Sequence, residues 1–286
     1  MRKRILAIML LLFIGAGCLN SVQNQDNSHK IIVVTTIAPL QEFVEKVGGD
    51  KVKVTAMVPP GGDPHTYEPA PSQLVELSNA RMYVEVGSGI EFELAWLGKL
   101  KALNNKILFV NASQNIEFIN STDPDTEGAD PHTWSSIRNA EIIVGNIYDK
   151  LAEMDPADKE YFAQNRDDYL LELTALDMGL NETLEMRENK KFLIYHPALG
   201  YFAQDYGLEQ IAIERNGKEP TPQWMQRIID TAKADNITVV IASPEFTTAS
   251  AETIAKEIHG RVVLIDPLQK DYVKGMREIA AAFNNP

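Results

Sequence analysis

The sequence predicts an α/β protein of two lobes, each a parallel sheet flanked by helices, joined by one long rigid helix. Two observations lead to this fold class. Strand-like runs alternate with amphipathic helical segments in both halves of the chain, and a long helical stretch without strands separates the halves. The 286 residues are enough for two lobes of ordinary size.

The first half predicts an N-terminal lobe over residues 31–155. Pro71 suits the first turn of a helix, where a missing N–H costs nothing. The predicted strands are 31–36, 52–58, 82–86 and 106–110, and the predicted helices include 39–47 and 71–79.

The middle of the chain predicts the connection between the lobes. Residues 134–154 are helical in pattern, Asp155-Pro156 interrupts them, and 156–188 then form one long helix with apolar residues at three- and four-residue steps. About 30 residues at 1.5 Å each span roughly 45 Å, which is more than one small lobe needs. We therefore expect a strut between lobes, and the alternative is a helix packed within one domain.

Strand-helix alternation then resumes and predicts a C-terminal lobe over residues 189–286. A second set of alternating elements indicates a second parallel sheet. Its predicted strands are 191–195, 210–213, 237–242 and 261–265, with helices at 197–206, 222–234 and 250–258.

The N-terminus has the pattern of an export signal with a lipid anchor. Three basic residues precede the apolar run Ile5–Ile14, and small residues lead to Cys18, the chain's single cysteine. We predict a signal peptide at 1–17, lipidation of Cys18 and a flexible tether over 18–30, which would anchor the protein to the outer face of the cell membrane. The alternative is ordinary secretion with Cys18 removed or left free.

Composition excludes several classes of protein. A net charge of −13 argues against nucleic acid as a partner, and one cysteine excludes an intramolecular disulfide and a cysteine-based zinc site. We expect a monomer.

A repeat singles out two of the five histidines. Asp63-Pro64-His65-Thr66 recurs as Asp130-Pro131-His132-Thr133, each time between a predicted strand and a predicted helix. The aspartates could orient a ligating imidazole or shape and cap the local loop, and we favour the local role. The alternative for each histidine is simple capping of a backbone group.

The second half offers further candidate ligands where its strands end. His196 follows one strand, Glu245 follows another and Asp266 follows a third. Ligands of parallel sheets bind outside the carboxyl ends of strands. Three neutral imidazoles and one carboxylate, His65, His132, His196 and Asp266, suit a tetrahedral Zn²⁺ site across the two lobes.

Other residues compete for the roles in this site. Asp266 could instead cap a turn, in which case Glu245 or a water would complete the shell. His29, in the tether, and His259, near a helix end, are expected to be solvated bystanders.

With these residues in place, the sequence resembles the zinc/manganese solute-binding lipoproteins of ABC importers, the ZnuA/TroA-like family. The resemblance implies metal in an inter-lobe cleft, ligands at His65, His132, His196 and Asp266, and an ABC permease as partner. The motifs that carry it are 34–40, 62–69, 130–134, 195–202, 218–222 and 264–268.

Three departures from the family bear on the metal. His196 stands where manganese members tend to carry a carboxylate, which favours zinc, with manganese possible. The loop 121–129 is short and acidic and lacks the histidines that many zinc members carry. Pro197 stands where a polar residue is common, so support for His196 is expected to differ.

The predicted function is therefore capture of a divalent transition metal, zinc above manganese, outside the cytoplasm and its delivery to an ABC-type permease. The protein is predicted not to be an enzyme. The alternatives are a zinc hydrolase with Glu245 as general base and a metal-stabilised adhesin. Because one long helix restricts hinge motion, we expect only a modest lobe adjustment on metal release.

Overall fold

The computed structural model describes residues 30–122, 128–215 and 217–283. The N-terminal lobe holds a parallel sheet in the order β2-β1-β3-β4. Its elements are β1 (Ile31–Thr35), α1 (Ala38–Gly48), β2 (Val52–Ala56), α2 (Pro71–Asn79), β3 (Met82–Glu85), α3 (Glu91–Leu103), β4 (Leu108–Asn111) and α4 (Ile137–Met154).

The C-terminal lobe repeats this topology. Its parallel sheet has the order β6-β5-β7-β8. Each of the two sheets therefore has a topological switch point between its two central strands, where the strand order reverses. Its elements are β5 (Lys191–Ile194), α6 (Gly200–Asp205), β6 (Glu209–Ala212), α7 (Pro222–Ala234), β7 (Val239–Ala242), α8 (Ala249–Glu257), β8 (Arg261–Leu264) and α9 (Tyr272–Ala282).

The connecting helix is α5, which runs over the 27 residues Lys159–Glu185 after a short 3₁₀ turn at Pro156–Asp158. At 1.5 Å per residue it spans about 40 Å. It packs against α1 and α4 of the N-terminal lobe and against α9 at the end of the chain. Its buried stripe recurs at helical spacing and consists of Phe162, Tyr169, Leu173, Leu176, Leu180 and Leu184.

The two lobes share one hydrophobic core. The larger cluster runs from the N-terminal sheet through α5 into the C-terminal lobe, where it includes Phe192, Phe202 and Phe283. A second cluster fills the other face of the C-terminal sheet, under α7 and α8. Apolar burial on both sides of the junction opposes any wide separation of the lobes.

A buried carboxylate also joins the lobes. Glu42 on α1 accepts hydrogen bonds from the backbone N–H of Tyr272 at 2.7 Å and from the Tyr169 hydroxyl at 3.1 Å. Burial raises the pKa of Glu42 above its ordinary value. Helices α1, α5 and α9 therefore meet at one polar contact inside the shared core.

The structure confirms the predicted fold class and adds two helices that the sequence analysis omitted. Helix α3 begins at Glu91 and α9 begins after Asp271, whose side chain accepts a hydrogen bond from the backbone N–H of Lys274. The helix predicted to start at Pro197 begins three residues later, at Gly200. The lobe boundaries at 155 and 188 stay predictions.

The predicted signal peptide, the lipidation of Cys18 and most of the tether lie outside the described residues. Among the helices that the structure describes, none is long and apolar enough to cross a membrane.

Candidate metal centre

Both sheets direct their carboxyl edges toward one cleft, and three imidazoles meet there. His65 lies in the loop after β2, His132 follows β4 and His196 follows β5. The Nε2 atom of His196 lies 3.0 Å from that of His132 and 3.2 Å from that of His65. In the described parts of the chain, this is the one group of three or more histidine, cysteine, aspartate or glutamate residues whose potential ligand atoms all lie within 4.8 Å of one another.

Each imidazole is held from behind by a carboxylate. A neutral imidazole that donates its Nδ1–H to a carboxylate leaves the Nε2 lone pair free, so all three lone pairs are directed into the same space. Such pairing fixes the ring and raises its basicity as a metal ligand. The Nδ1 pairs are His65 with Glu91 at 2.8 Å, His132 with Asp130 at 2.7 Å and His196 with Glu214 at 2.5 Å.

The second copy of the sequence repeat is firmly built. One oxygen of Asp130 accepts both the backbone N–H and the ring Nδ1–H of His132. The Tyr201 hydroxyl donates to the backbone carbonyl of Asp130 at 2.9 Å, and a side chain at Gly200 would collide with the Asp130 carboxylate. Asp130 therefore shapes its loop and also orients the imidazole.

The first copy is built differently. Asp63 accepts the backbone N–H of His65 and the hydroxyl of Thr66, both at 2.9 Å, so it shapes the loop only. The ring of His65 instead pairs with Glu91, the first residue of α3. Glu93 lies two residues after Glu91 on the same helix. It anchors the start of α3 by accepting hydrogen bonds from the backbone N–H groups of Val86 and Gly87, which follow β3.

The backbone before α3 turns through a glycine. Gly87 has φ of 76°, in the left-handed region, and a Cβ there would collide with Asn111 at the end of β4. This turn brings the start of α3 to the cleft, and thereby places Glu91 beside His65.

The electrostatics of the three imidazoles differ. Burial acts to lower the pKa of His65, but the hydrogen bond and the charge of Glu91 outweigh it, and the pKa is raised above 6.5. Burial dominates at His196 and lowers its pKa, against the opposing effect of Glu214. For Glu91, burial is opposed by the contact with His65, and the net pKa is lowered.

The two carboxylates predicted from the second half lie beside this cluster. The carboxylate of Asp266 lies outside the group of mutually close ligand atoms, and its Oδ1 accepts the backbone N–H of Leu268 at 2.8 Å. The Oε2 of Glu245 is buried without a hydrogen-bond partner among the described residues. The role of Asp266 as a ligand stays a prediction.

The structure also describes Pro197, the ends of the acidic loop and His259. Pro197 does not leave His196 unsupported, because Glu214 supplies its Nδ1 contact. The ends of the acidic loop pair with each other through Asn120 and Ala129, while residues 123–127 lie outside the described residues. His259 is exposed at the end of α8, away from the three-histidine group.

Sequence reasoning missed Glu91 and Glu214. Both follow strands of their sheets, β3 and β6, so the rule that singled out His196 could have found them. Together the three imidazoles and their carboxylates line a cleft of about 270 Å³ between the lobes. A site that offers three imidazole nitrogens, with carboxylates behind them, suits a divalent transition metal.

Comparison with known proteins gives consistent matches. The profile of the family described as "Zinc-uptake complex component A periplasmic" matches residues 33–285. The chain is 28% identical over 279 residues to the high-affinity zinc uptake system protein ZnuA of Bacillus subtilis (strain 168), covering 93% of this chain and 87% of that protein. It is 29% identical over 255 residues to the manganese-binding lipoprotein MntA of Halalkalibacterium halodurans, covering 87% and 83%.

Solved structures show the same fold. The crystal structure of a protein named ZnuA superposes with a TM-score of 0.84 at 40% identity, covering 88% of this chain and 96% of that one. The laminin-binding adhesin Lmb of Streptococcus agalactiae shares the fold at 24% identity, with a TM-score of 0.78 and coverage of 88% and 98%.

Proposed function

This chain belongs to the family of periplasmic zinc-uptake component A proteins, and on that basis we propose that it captures Zn²⁺ between its lobes and delivers it to an ABC permease. At the level of the family, it is an extracytoplasmic metal-binding component of an ABC metal-uptake system. It is a binding protein and not an enzyme, since its relatives are named for metal binding and uptake.

The single observation that supports the proposal best is the convergence of three Nε2 atoms, each backed by a carboxylate on Nδ1. Three lone pairs in one space repel each other until a cation lies between them. A divalent cation bound there satisfies all three rings at once, and each carboxylate balances part of its charge.

The donor set favours zinc over manganese. Imidazole nitrogen suits Zn²⁺ well, whereas Mn²⁺ prefers oxygen ligands and six-fold coordination. Since His196 supplies nitrogen where a carboxylate would suit manganese, we propose zinc as the cargo and keep manganese as the competitor to be tested.

Release to the permease requires the cluster to open without large lobe motion. The shared core and the contact of Glu42 with Tyr272 hold the lobes together at α1, α5 and α9. His65 is the accessible member of the cluster, with a partner, Glu91, whose side chain is 52% exposed. We propose that the loop of His65 moves during release while the lobes adjust only modestly.

Location follows from the N-terminal sequence. We propose that the mature chain begins at Cys18, that lipid on this residue anchors it outside the membrane, and that residues up to 30 tether the globule within reach of the permease. Mass spectrometry of the protein purified from a producing cell would detect the lipidated N-terminus.

The test of the cargo is metal competition on chelator-stripped protein of residues 19–286. We expect one Zn²⁺ per chain in equimolar Zn²⁺ and Mn²⁺, and loss of this ion in His196→Ala. Bound zinc should also raise the melting temperature, because ligand at about 100 times Kd stabilises the fold by about 2.7 kcal/mol. The control His259→Asn removes an exposed imidazole and should bind as the wild type does.

Two results would contradict the proposal in different ways. Retention of manganese in preference to zinc would overturn the choice of cargo, and full zinc binding by His196→Ala would overturn the site.

A further inference from the structure

We propose that Phe246 limits the number of water molecules that can reach the captured ion, and thereby makes the site select zinc over manganese. This inference deepens the proposed function and rests on it, because it concerns the same three-histidine site. Three observations support it: the position of Phe246 between two spaces of unequal size, the apolar lining of the smaller space, and the packing that fixes the phenyl ring.

The three imidazoles line two spaces. The first is the cleft of about 270 Å³, where the carboxylates of Glu91 and Glu214 also lie. The second, here called the inner space, measures about 10 Å³, close to the smallest volume that holds one water molecule. Apart from Glu245, its other lining residues are apolar, among them Trp134 and Leu268. The cleft therefore has room for several water molecules, and the inner space for about one.

Phe246 lies at the border of these two spaces. Besides the three histidines, it is the only one of the described residues that lines both of them. Its ring centroid lies 5.2 Å from that of His196, and the two ring planes are inclined by 35°. The phenyl ring therefore covers one side of a ligating imidazole and separates water in the cleft from the inner space.

The C-terminal lobe holds the ring in this position. The side chain of Phe246 packs against the second hydrophobic cluster, and its ring centroid lies 5.8 Å from that of Tyr195. The backbone N–H of Phe246 donates to the carbonyl of Ser243 at 3.1 Å, which fixes the turn after β7. Since these contacts all lie within the C-terminal lobe, Phe246 should stay beside His196 when the loop of His65 moves.

The residue before Phe246 shows that bulk water does not reach this region. The Oε2 atom of Glu245, which lines the inner space, is buried and accepts no hydrogen bond from the described residues. Keeping a carboxylate oxygen from water in this way costs free energy, so the surrounding apolar wall must be tight. Opening that wall at Phe246 would admit water to the inner space and to an ion held beside it.

Zinc and manganese differ in how strongly this wall opposes their binding. Zn²⁺ is satisfied by four ligands in a tetrahedron, which the three imidazoles and the predicted carboxylate of Asp266 supply. Mn²⁺ prefers six ligands, mostly oxygens, so it needs about two water molecules in addition. A phenyl ring offers no ligand and keeps water from its side of the ion, so it opposes six-fold coordination more than four-fold coordination.

The test compares Phe246→Ala with the wild type in chelator-stripped protein of residues 19–286. Chelator competition measures the affinities for Zn²⁺ and Mn²⁺, and the visible spectrum of the Co²⁺-loaded protein reports how many ligands surround the ion. We expect zinc affinity to fall by no more than about 3-fold and the ratio of zinc to manganese affinity to fall by about 10-fold or more, as is typical when residues around the ligands are changed. The intense Co²⁺ absorption of a four-coordinate site should weaken as water joins the shell.

Two matched variants separate lost shielding from general damage. Phe246→Leu keeps an apolar side chain between the two spaces and should keep the affinity ratio and the Co²⁺ spectrum of the wild type. Phe118→Ala removes the same ring from a position that is 45% exposed and outside the lining of both spaces, so it should change neither readout. Metal-free melting curves show whether each variant folds. If Phe246→Ala does not fold, Phe246→Val should show the same changes to a smaller extent.

The outcomes distinguish this inference from the proposed function. A folded Phe246→Ala variant with the affinity ratio and the spectrum of the wild type would overturn the inference, because the nitrogen donors alone would then select zinc. An equal loss of selectivity in Phe246→Leu or in Phe118→Ala would overturn it as well, since exclusion of water beside His196 would not be the cause. If the wild-type protein binds neither ion, or His196→Ala binds both fully, the proposed function itself fails and the inference fails with it.

Discussion

The two Asp-Pro-His-Thr segments carry the same four residues and hold their histidines in different ways. His132 is buried, and its ring pairs with Asp130 of its own segment, whose side chain is 3% exposed. His65 is more accessible, and its ring pairs with Glu91 from another element, whose side chain is 52% exposed. A sequence repeat can therefore specify where an imidazole lies without specifying what holds it.

The difference has an energetic consequence. A charge-assisted hydrogen bond inside the protein is stronger than one in contact with water, because the surroundings screen it less. The segment at 130–133 is therefore expected to act as the fixed arm of the site, and the segment at 63–66 as its adjustable arm. Substitutions that remove one carboxylate at a time can separate the two.

The largest effect is expected from Asp130→Asn. Asparagine can still accept from His132, but its amide N–H₂ would take the place of an oxygen that is buried beside Gly200 with no hydrogen-bond partner among the described residues. The new amide donor would be unsatisfied, and the amide oxygen would accept the Nδ1–H of His132 more weakly than the carboxylate does. The imidazole of His132 should therefore turn, and zinc affinity should fall about 10- to 100-fold. Chelator competition at pH 7.5 measures this.

The control for Asp130→Asn is its metal-free melting curve, which shows whether the loop of His132 is disturbed without metal. An affinity equal to that of the wild type would mean that burial of Asp130 contributes nothing to the site, and the distinction between fixed and adjustable arms would be lost.

The same comparison shows how far sequence reasoning reaches. Strand-helix alternation predicted both sheets, the Asp-Pro-His-Thr repeat singled out His65 and His132, and the rule about strand ends singled out His196, because these follow from local pattern and topology. The partners Glu91 and Glu214 come from other strands, so only the packed structure could pair them with their rings.

Other features depended on tertiary context in the same way. Helix α9, whose N-terminus is capped by the side chain of Asp271, was not predicted from the sequence. The position of Asp266 depends on the turn after β8, in which the carbonyl of Pro267 accepts the indole N–H of Trp134, a contact between the lobes that no spacing in the sequence encodes.

An intermediate effect, which depends on pH, is expected from Glu91→Gln. The pKa of His65 is raised above 6.5, so protons compete with zinc for this ring as the pH falls through that raised value. Without the charge of Glu91, burial should lower the pKa of His65. Zinc affinity should then drop a few-fold at pH 8, consistent with the modest strength of exposed ion pairs, and should decline at lower pH than in the wild type.

The sign for stability follows from the same contact. A raised folded-state pKa means that the pair of His65 with Glu91 stabilises the metal-free fold below pH 6.5, and that this stability is lost as the pH rises through the raised value. Glu91→Gln should therefore lower the melting temperature more at pH 5.5 than at pH 8. An equal loss at both values would contradict the pairing, and an NMR titration of the ring would give the pKa directly.

The smallest effect is expected from Asp63→Asn, the counterpart of Asp130→Asn. Asp63 bonds only the backbone N–H of His65 and the hydroxyl of Thr66, and an asparagine oxygen can accept the first of these. Its removal leaves Nδ1 of His65 on Glu91, so zinc affinity should stay within about 3-fold of the wild type, below the 10-fold losses typical of residues that orient a ligand. The two variants should be measured under the same conditions. If Asp63→Asn lost as much zinc affinity as Asp130→Asn, the loop of His65 would have to be as rigid as the loop of His132. His65 could not then be the ligand that moves on release.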